Sequence, residues 1–315
     1  MCTAISLCGR KHFFGRNLDF EHPFGEKIVI TPRNFPLDFR HTDSIPSHYA
    51  MIGMGVVSDD YPLYFDATNE KGLSMAGLLF SGYAHYHDIN QEHTNLAPFE
   101  VIPWVLSQCS DTGEAKELLG KISIADTHFS HEYPNTPLHW IISDRKCSIV
   151  LESVKEGVKI YDNPTHVLTN SPPFEMQIFN LNNYMPLSPL PPENKFSDTL
   201  NLKTYSRGMG AMGLPGDFSS ASRFVRAAFF RANCNDEKNE AALLFHMLKN
   251  LSPLPGCVIT EDGEVEVTLY SSCVDTEKGI YYYTSRDENK VSSVSIEEHD
   301  LDCSSLATFS YNLLH

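Results

Sequence analysis

The sequence has few of the features that connect a protein to a membrane or to nucleic acid. No apolar run approaches the length of about 18 residues that spans a membrane, and the opening residues lack the basic-then-apolar order of a signal peptide. Lys and Arg total 24 against 40 Asp and Glu, so the formal net charge is −16, and no basic run occurs. We therefore expect no membrane and no nucleic acid among its partners.

The cysteines also lack the spacing of a metal site or a disulfide framework. The chain has 8 of them and no CxxC pair. They are Cys2, Cys8, Cys109, Cys147, Cys234, Cys257, Cys273 and Cys303. Without a signal peptide, this pattern predicts reduced thiols and a cytoplasmic protein. His85 and His87 would share one face of a strand, but no Cys or carboxylate is spaced to complete a site, so we expect no metal.

The chain does have a clear order of strand-like and helix-like segments. Strand patterns fill residues 2–31, helix pairs fall near 98–119 and 221–251, and further strand patterns lie between and after them. The absence of β-α-β-α alternation disfavours a doubly wound parallel sheet and favours two stacked antiparallel sheets with helices on their outer faces. No repeat or linker divides the chain, so we predict a single domain over residues 1–315.

The first two residues, Met1 and Cys2, could place a nucleophile and a base on one residue. A small second residue permits removal of the initiator methionine, and we expect Met1 to be removed, which would leave Cys2 with a free α-amino group. An amine with a pKa of about 7.7–8.0 could take the proton of the thiol beside it. A terminal nucleophile activated in this way is a known form of covalent catalysis. Taken alone, a Met-Cys start more often marks a small core residue near a chain end.

The stretch 14–19, Phe-Gly-Arg-Asn-Leu-Asp, holds a cation and an anion close to this first strand. A guanidinium at Arg16 would favour the thiolate of Cys2, and a carboxylate at Asp19 would orient its amine. On a regular strand, residues three apart point to opposite faces. We therefore predict that the strand ends or bulges between Arg16 and Asp19. Judged alone, the two residues could also form a surface ion pair.

Eight stretches, taken together and in order, resemble the choloylglycine hydrolase family. They are MCTAI, FGRNLDF, VITPRNFP, DDYPLYFDATNEKGL, LHWIISD, LTNSPPF, GLPGDFSSASRFVR and EKGIYYY. The family includes the conjugated bile salt hydrolases and the penicillin V acylases, and the similarity extends over nearly the whole chain. It implies an N-terminal nucleophile hydrolase with a four-layer αββα core. Such an enzyme cleaves a linear amide without metal or cofactor, commonly as a homotetramer.

The resemblance also implies a role for each residue that matches a catalytic position of the family. Cys2 would be the nucleophile with its own amine as base, Arg16 would lie beside the thiol, and Asp19 would bind the amine. Asn170 would donate its side-chain amide to the oxyanion, and Arg223 would complete a charged ring around Cys2. From the residues alone, Asn170 could instead form a turn and Arg223 could lie on the surface at a helix start.

Leu79 departs from the family pattern. Bile salt hydrolases usually carry asparagine at this position and penicillin V acylases usually tyrosine. The family's oxyanion hole takes a backbone N–H here, and leucine keeps that donor. We expect Leu79 to preserve catalysis while removing a polar group that could distinguish the two kinds of substrate.

By the same resemblance, several residues would form a wide apolar pocket for a steroid acyl group. They are Leu18, Ser58, Phe65, Phe129, Tyr133 and Leu138, of which Ser58 is the more polar member. Apolar residues at these positions are equally compatible with the protein core. Arg207 lies in a stretch rich in Pro and Gly, 185–218, that predicts an irregular excursion, and it could pair with the sulfonate of a taurine conjugate.

The leading functional prediction is a bile salt hydrolase, because the stretches 60–73 and 213–226 are closest to that branch of the family. The first alternative is a penicillin V acylase or an acylase of other N-acyl amines, which Leu79 leaves open. The second is an inactive homologue that binds bile acids as a carrier or sensor. Retention of the five catalytic side chains argues against the second alternative, since a carrier does not need them.

Overall fold

The structure of the chain is a computed structural model that describes residues 1–286 and 290–310. The rest of the predicted domain 1–315 lies outside the described residues. The strands are β1 Cys2–Cys8, β2 His12–Phe20, β3 Lys27–Thr31, β4 Met51–Ser58, β5 Tyr61–Asn69, β6 Ser74–Leu79, β7 Thr94–Leu96, β8 Ile122–Ile124, β9 Leu138–Ser143, β10 Ser148–Val154, β11 Gly157–Asp162, β12 Val167–Leu168, β13 Val267–Asp275, β14 Ile280–Ser285, β15 Ser292–Ser295 and β16 Ala307–Ser310. The helices are α1 Val101–Gln108, α2 Thr112–Leu119, α3 Phe174–Asn180, α4 Ser220–Asn233 and α5 Glu240–Lys249.

The strands form two large antiparallel sheets. The six-stranded sheet has the order β12-β1-β2-β13-β14-β15, and the eight-stranded sheet has the order β11-β10-β9-β6-β5-β4-β3-β16. β1 is hydrogen-bonded to β12 on one edge and to β2 on the other. β7 and β8 add a small parallel pair. The start of the chain is therefore fixed inside a sheet rather than on a loose tail.

The two sheets pack face to face, and each carries helices on its outer face. One core cluster joins the inner faces of both sheets to α4 and α5, and includes Ile5, Ile141 and Phe224. A second cluster packs α1 and α2 on the eight-stranded sheet and includes Trp104 and Met75. The order helix, sheet, sheet, helix confirms the predicted αββα fold. Among the helices of the described residues, none has the length and apolar character needed to cross a membrane.

The central strands β1 and β2 are buried on both faces. All but the last residue of each strand are buried, because the second sheet covers one face and α4 and α5 cover the other. A strand enclosed in this way does not need the polar–apolar alternation of a half-exposed strand. Polar side chains on these strands therefore lie in the interior, where they require partners.

A chain of buried polar side chains crosses the sandwich at the end of β1 that is remote from Cys2. His12 contacts Ser6 Oγ through Nε2 and Thr276 Oγ1 through Nδ1, both at 2.9 Å. Ser6 Oγ also accepts a hydrogen bond of 2.7 Å from Ser143 Oγ on the second sheet. Burial lowers the pKa of His12 to about 4, so the folded protein holds this imidazole neutral at neutral pH.

We predict that the free energy of unfolding decreases as the pH falls from 6.5 to about 4, the unfolded and folded pKa of His12. Below the unfolded value the unfolded state binds the proton first, and folding loses stability. His12 should contribute about 2–3 kcal/mol to this loss, so the loss should be smaller by that amount in His12→Gln. Urea unfolding followed by circular dichroism at about pH 7.5 and about pH 4.5 measures it. His93→Gln, at an exposed position, is the matched control, and an unchanged pH dependence in His12→Gln would contradict the prediction.

Candidate active site

The main chain at Cys2 is held by hydrogen bonds on both sides. The residue before it, Met1, donates its terminal nitrogen to Asp19 O at 2.8 Å and accepts from Asp19 N–H at 2.9 Å, which extends the β1–β2 ladder by one residue. The Cys2 N–H donates to Asn170 Oδ1 at 2.8 Å. The nitrogen and the sulfur of Cys2 are thus presented in fixed directions.

Arg16 lies fully buried between the sheets and contacts the Cys2 sulfur. Its Nη2 is 2.9 Å from Sγ, and its Nη1 donates to Phe65 O and Gly77 O, both at 2.9 Å. The β5–β6 ladder ends at the pair Asp66–Ala76, so the guanidinium fills the opening where these strands separate. Although burial alone would lower the pKa of Arg16, the neighbouring Cys2 and other acidic groups raise it above its usual value. A permanent cation therefore lies within hydrogen-bond distance of the thiol, which favours the thiolate.

Arg16 contacts Cys2, and Asp19 pairs with the preceding residue Met1, without the break in β2 that the sequence predicts. β2 runs unbroken through both residues, and the register shift lies in the neighbouring strand, between Thr268 and Tyr270 of β13. The prediction of a break between them was wrong. Cys2 is the first residue of β1, so its side chain and its main-chain nitrogen can be approached from opposite faces of the sheet.

Asp19 is buried beside the start of the chain with one carboxylate oxygen engaged. Oδ1 accepts a hydrogen bond of 2.6 Å from Thr268 Oγ1, whereas Oδ2 has no hydrogen-bond partner among the described residues. Burial raises the pKa of Asp19, and the positive charges of Arg223 and the terminal amine oppose that rise. A buried oxygen without a donor is uncommon, and here it is available to an amine at this end of β1.

Asn170 and Arg223 form hydrogen bonds with the main chain of Cys2. Asn170 Oδ1 accepts from Cys2 N–H and, at 2.7 Å, from Arg223 Nη2. Arg223 Nη1 also donates to Cys2 O and, at 2.7 Å, to Thr3 Oγ1. Because both groups facing Oδ1 are donors, the Asn170 amide has one consistent orientation. Its Nδ2 points the other way and donates to Leu79 O at 2.9 Å.

The backbone N–H of Leu79 lies at the same edge of β6 as the Leu79 C=O, which accepts the hydrogen bond from Asn170 Nδ2. The next residue, Phe80, donates its N–H to Pro137 O, and successive residues of an antiparallel strand direct their polar groups to opposite edges. The N–H and C=O of Leu79 therefore face away from β9, toward the edge where β5 has already separated. Because Leu79 O meets Asn170 Nδ2, the Leu79 N–H and the Asn170 amide lie close together beside Cys2.

A cavity of about 400 Å³ opens at Cys2, Arg16, Asp19 and Leu79. Five of the predicted pocket residues lie in its wall: Leu18, Phe65, Phe129, Tyr133 and Leu138. The wall also contains apolar residues that sequence reasoning missed: Phe20, Phe24, Val56, Leu63, Phe99, Ile102 and Trp140. In the sequence, these apolar residues follow the same pattern as residues of the protein core, so the pattern alone does not distinguish wall residues from core residues. The cavity has the size and character of a site for an apolar ligand.

Four predicted site residues lie outside the described wall of this cavity. Asn170 and Arg223 lie behind Cys2, although Asn170 contacts two wall residues, Cys2 and Leu79. Ser58 ends β4 opposite Tyr61, and Arg207 is exposed in the irregular stretch. The roles of Ser58 and Arg207 in substrate binding stay predictions.

Met1 blocks the nitrogen of Cys2, the group that would act as the catalytic amine. Met1 is part of the cavity wall, and its terminal amine forms an ion pair with Glu266, a residue that sequence reasoning missed. Burial lowers the pKa of this amine below its usual value. While Met1 is present, the nitrogen of Cys2 is an amide and cannot accept a proton. Base catalysis by Cys2 therefore requires removal of Met1.

Comparison with known proteins identifies the group of enzymes to which this site belongs. The sequence pattern of the linear amide C–N hydrolases of the choloylglycine hydrolase family matches residues 2–309. The chain belongs to the choloylglycine hydrolase family. Membership confirms the resemblance found in its motifs, and the protein is a hydrolase of linear amide C–N bonds.

Individual relatives agree with this family assignment. A bile salt hydrolase/transferase of Lactiplantibacillus plantarum is 47% identical over 98% of this chain and 96% of the relative. A crystal structure of a variant of the conjugated bile acid hydrolase from Clostridium perfringens has a TM-score of 0.92 at 38% identity, covering 99% of this chain and 97% of that chain. Penicillin V acylase from Agrobacterium tumefaciens has a TM-score of 0.76 at 21% identity, covering 98% and 91%, which indicates a shared fold.

Proposed function

We propose that this protein hydrolyses glycine- and taurine-conjugated bile salts through a thioester on Cys2. The observation that carries the proposal is the position of the Cys2 sulfur, paired with Arg16 at the mouth of a large apolar cavity. A conjugated bile salt joins an apolar steroid acyl group to a small polar amine by a linear amide. The cavity suits the acyl group, and two of the relatives named above are a bile salt hydrolase/transferase and a conjugated bile acid hydrolase.

The first half of the proposed reaction forms the thioester. After removal of Met1, the α-amine of Cys2 takes the thiol proton, and the thiolate attacks the amide carbonyl. The Leu79 N–H and the second N–H of Asn170 Nδ2 stabilise the resulting oxyanion. The protonated amine then gives its proton to the leaving nitrogen, the C–N bond breaks, and glycine or taurine departs.

The second half releases the bile acid. Water gives a proton to the α-amine as it attacks the thioester carbonyl, and the same two donors stabilise the second oxyanion. The C–S bond then breaks, the sulfur recovers its proton, and the free acid leaves. Asp19 Oδ2, which lacks a partner among the described residues, would accept a hydrogen bond from the amine when it is protonated. No metal or cofactor takes part in this sequence.

A homotetramer is the proposed assembly, with the irregular stretch 185–218 as its contact surface. Large apolar side chains are exposed there, including Phe196 at 82% and Tyr205 at 81%, and a second copy of the chain would cover them. Arg207 lies in the same stretch outside the described wall of its own cavity. Its proposed contact with a taurine sulfonate would therefore need a neighbouring copy. A monomeric mass in light scattering would contradict both proposals.

We also propose that the chain forms a single domain and that the protein is cytoplasmic. A single core cluster joins both sheets to α4 and α5, which supports one domain over residues 1–315; two separate calorimetric transitions would contradict it. The cysteine spacing supports a cytoplasmic location, which cell fractionation tests.

One feature of the cavity favours a second candidate substrate, phenoxymethylpenicillin. Five phenylalanine rings lie in the wall. Neighbouring rings contact one another, for example Phe24 with Phe65 at 5.5 Å and Phe99 with Phe129 at 5.2 Å between ring centroids. Such a surface suits a phenoxy group, and the apolar side chain of Leu79 does not discriminate against it.

Cys2→Ser should lower amine release by at least about 10³-fold, because a hydroxyl replaces the nucleophilic thiol. Ninhydrin detection of glycine from glycocholate and taurine from taurocholate measures this, with phenoxymethylpenicillin as the competing substrate. Cys147→Ser, at an exposed cysteine, is the matched control.

Wild-type turnover by Cys2→Ser would show that another nucleophile acts. Turnover of phenoxymethylpenicillin alone would favour the acylase alternative. Binding of all three compounds without turnover by the wild type would favour the inactive homologue.

Leu79→Pro and Leu79→Asn should separate the backbone of this position from its side chain. Proline removes the N–H and should lower the hydrolysis rate by about 10²–10³-fold. Asparagine keeps the N–H and should retain the rate within a few fold while changing the preference between bile salts and phenoxymethylpenicillin. Equal rates in a folded Leu79→Pro and the wild type would remove Leu79 from the oxyanion site.

A further inference from the structure

Arg16 is a buried cation whose own hydrogen bonds do not balance its charge. It donates to Cys2 Sγ, to Phe65 O and Gly77 O, and more weakly to Asn17 O at 3.4 Å. None of these acceptors is a carboxylate. A guanidinium without exposure to water is unfavourable unless a nearby anion compensates it, so the surroundings of Arg16 should supply one.

Asp66 is placed to be that anion. It follows Phe65 on β5, is 1% exposed, and acts on Arg16 through their opposite charges. Arg16 comes from the six-stranded sheet and Asp66 from the eight-stranded sheet, so the attraction crosses the sandwich. Burial raises the pKa of Asp66, while Arg16 and three hydroxyl donors oppose the rise.

Those three hydroxyls hold the carboxylate in place. Tyr270 Oη donates to Asp66 Oδ1 at 2.6 Å, Tyr281 Oη donates to Oδ2 at 2.7 Å, and Ser272 Oγ lies 3.4 Å from Oδ2. All three belong to the sheet that carries Arg16. A carboxylate bound in this way does not need a direct pair with the guanidinium. Arg16 Nη2 is consequently left to the sulfur of Cys2.

We propose that Asp66, held by Tyr270 and Tyr281, is a positioning residue that sets how strongly Arg16 stabilises the Cys2 thiolate. The negative charge of Asp66 offsets part of the field of Arg16 at the sulfur. The two tyrosines hold the carboxylate away from Arg16 and prevent it from accepting the Nη2 hydrogen bond that Cys2 Sγ accepts. The proposal rests on Cys2 as the nucleophile of the proposed function, but it does not depend on the identity of the substrate.

Several other charged or titratable groups face Cys2, and they are the same in every variant used below. They are Arg16 and Asp19 of β2, Arg223 of α4 and, once Met1 is removed, the α-amine of Cys2 itself. Arg223 contacts Thr3 Oγ1, on the face of β1 opposite the Cys2 side chain, and Asp19 lies on that face too. The Asp66 network lies behind Arg16 on the sulfur side, so a change there acts first on the thiol.

Two substitutions should move the pH midpoint of Cys2 alkylation in opposite directions. Asp66→Asn removes the compensating charge, so Arg16 acts fully on the sulfur and the midpoint should fall. Tyr281→Phe removes the 2.7 Å hydrogen bond to Oδ2, so the carboxylate can turn toward Arg16 and compete with Sγ, and the midpoint should rise. General loosening of the core would not give shifts of opposite sign.

The measurement is the rate at which iodoacetamide alkylates Cys2 as a function of pH, in protein whose intact mass confirms that Met1 is absent. Peptide mass spectrometry with fragmentation separates Cys2 from Cys8 and the other thiols. Tyr282→Phe, the neighbour on the opposite face of β14, is the matched control and should leave the midpoint unchanged. Circular dichroism checks that each variant is folded.

A lower midpoint in Asp66→Asn and a higher one in Tyr281→Phe would support the proposal. Unchanged midpoints in folded variants, or shifts in the same direction, would overturn it. If Asp66→Asn does not fold, Tyr281→Phe decides alone, since an unchanged or lowered midpoint there contradicts the proposal. The assay needs no bile salt, so a wrong substrate assignment would leave its result intact, and the Cys2→Ser experiment tests the nucleophile separately.

Discussion

The site depends on the position of Cys2 as the first residue of a central strand. Its side chain points between the sheets, where Arg16 contacts the sulfur, and its nitrogen lies at the strand end, near Asp19 and in contact with Asn170. A residue in the middle of a strand has its nitrogen committed to a peptide bond and to the ladder. At the strand end, groups on one face of the sheet can contact the sulfur, while groups on the other face can contact the nitrogen.

This arrangement concentrates charge in the interior of the protein. Arg16 and Asp66 lie between the sheets, and Arg223 and Asp19 lie on the outer face of the six-stranded sheet, all with at most 1% exposure. Each cation is attracted by the carboxylate on its own face, so the charges balance in two couples. Removal of one member would leave its partner uncompensated, which is usually more harmful than loss of the whole couple. The large sandwich core around the site offsets the cost of burying these groups.

The sequence predicts the parts of the site that lie close together along the chain. Met1-Cys2, Arg16 and Asp19 fall within one hairpin, so the strand pattern alone brings them near each other. Asn170 and Arg223 are separated from Cys2 by 168 and 221 residues, and no local pattern predicts those contacts. They were found through the resemblance to a family, which supplied the fold class in the same way.

Other features of the site depend on tertiary packing that the sequence does not express. Asp66 resembles an ordinary strand residue, because its partners Tyr270 and Tyr281 lie 204 and 215 residues away. Ser58 and Arg207 were assigned to the substrate by family position, yet neither belongs to the described wall of the cavity. Loops carry much of that wall, and their paths follow from the packing of several elements at once.

Removal of Met1 tests whether the free α-amine of Cys2 acts as the base. Protein that retains Met1 is divided in two, one half is treated with methionine aminopeptidase, and intact mass and hydrolysis of glycocholate are followed in both. We expect no turnover in the untreated half and, in the other half, turnover that rises in proportion to the trimmed fraction. Equal turnover by chains that still carry Met1 would contradict it.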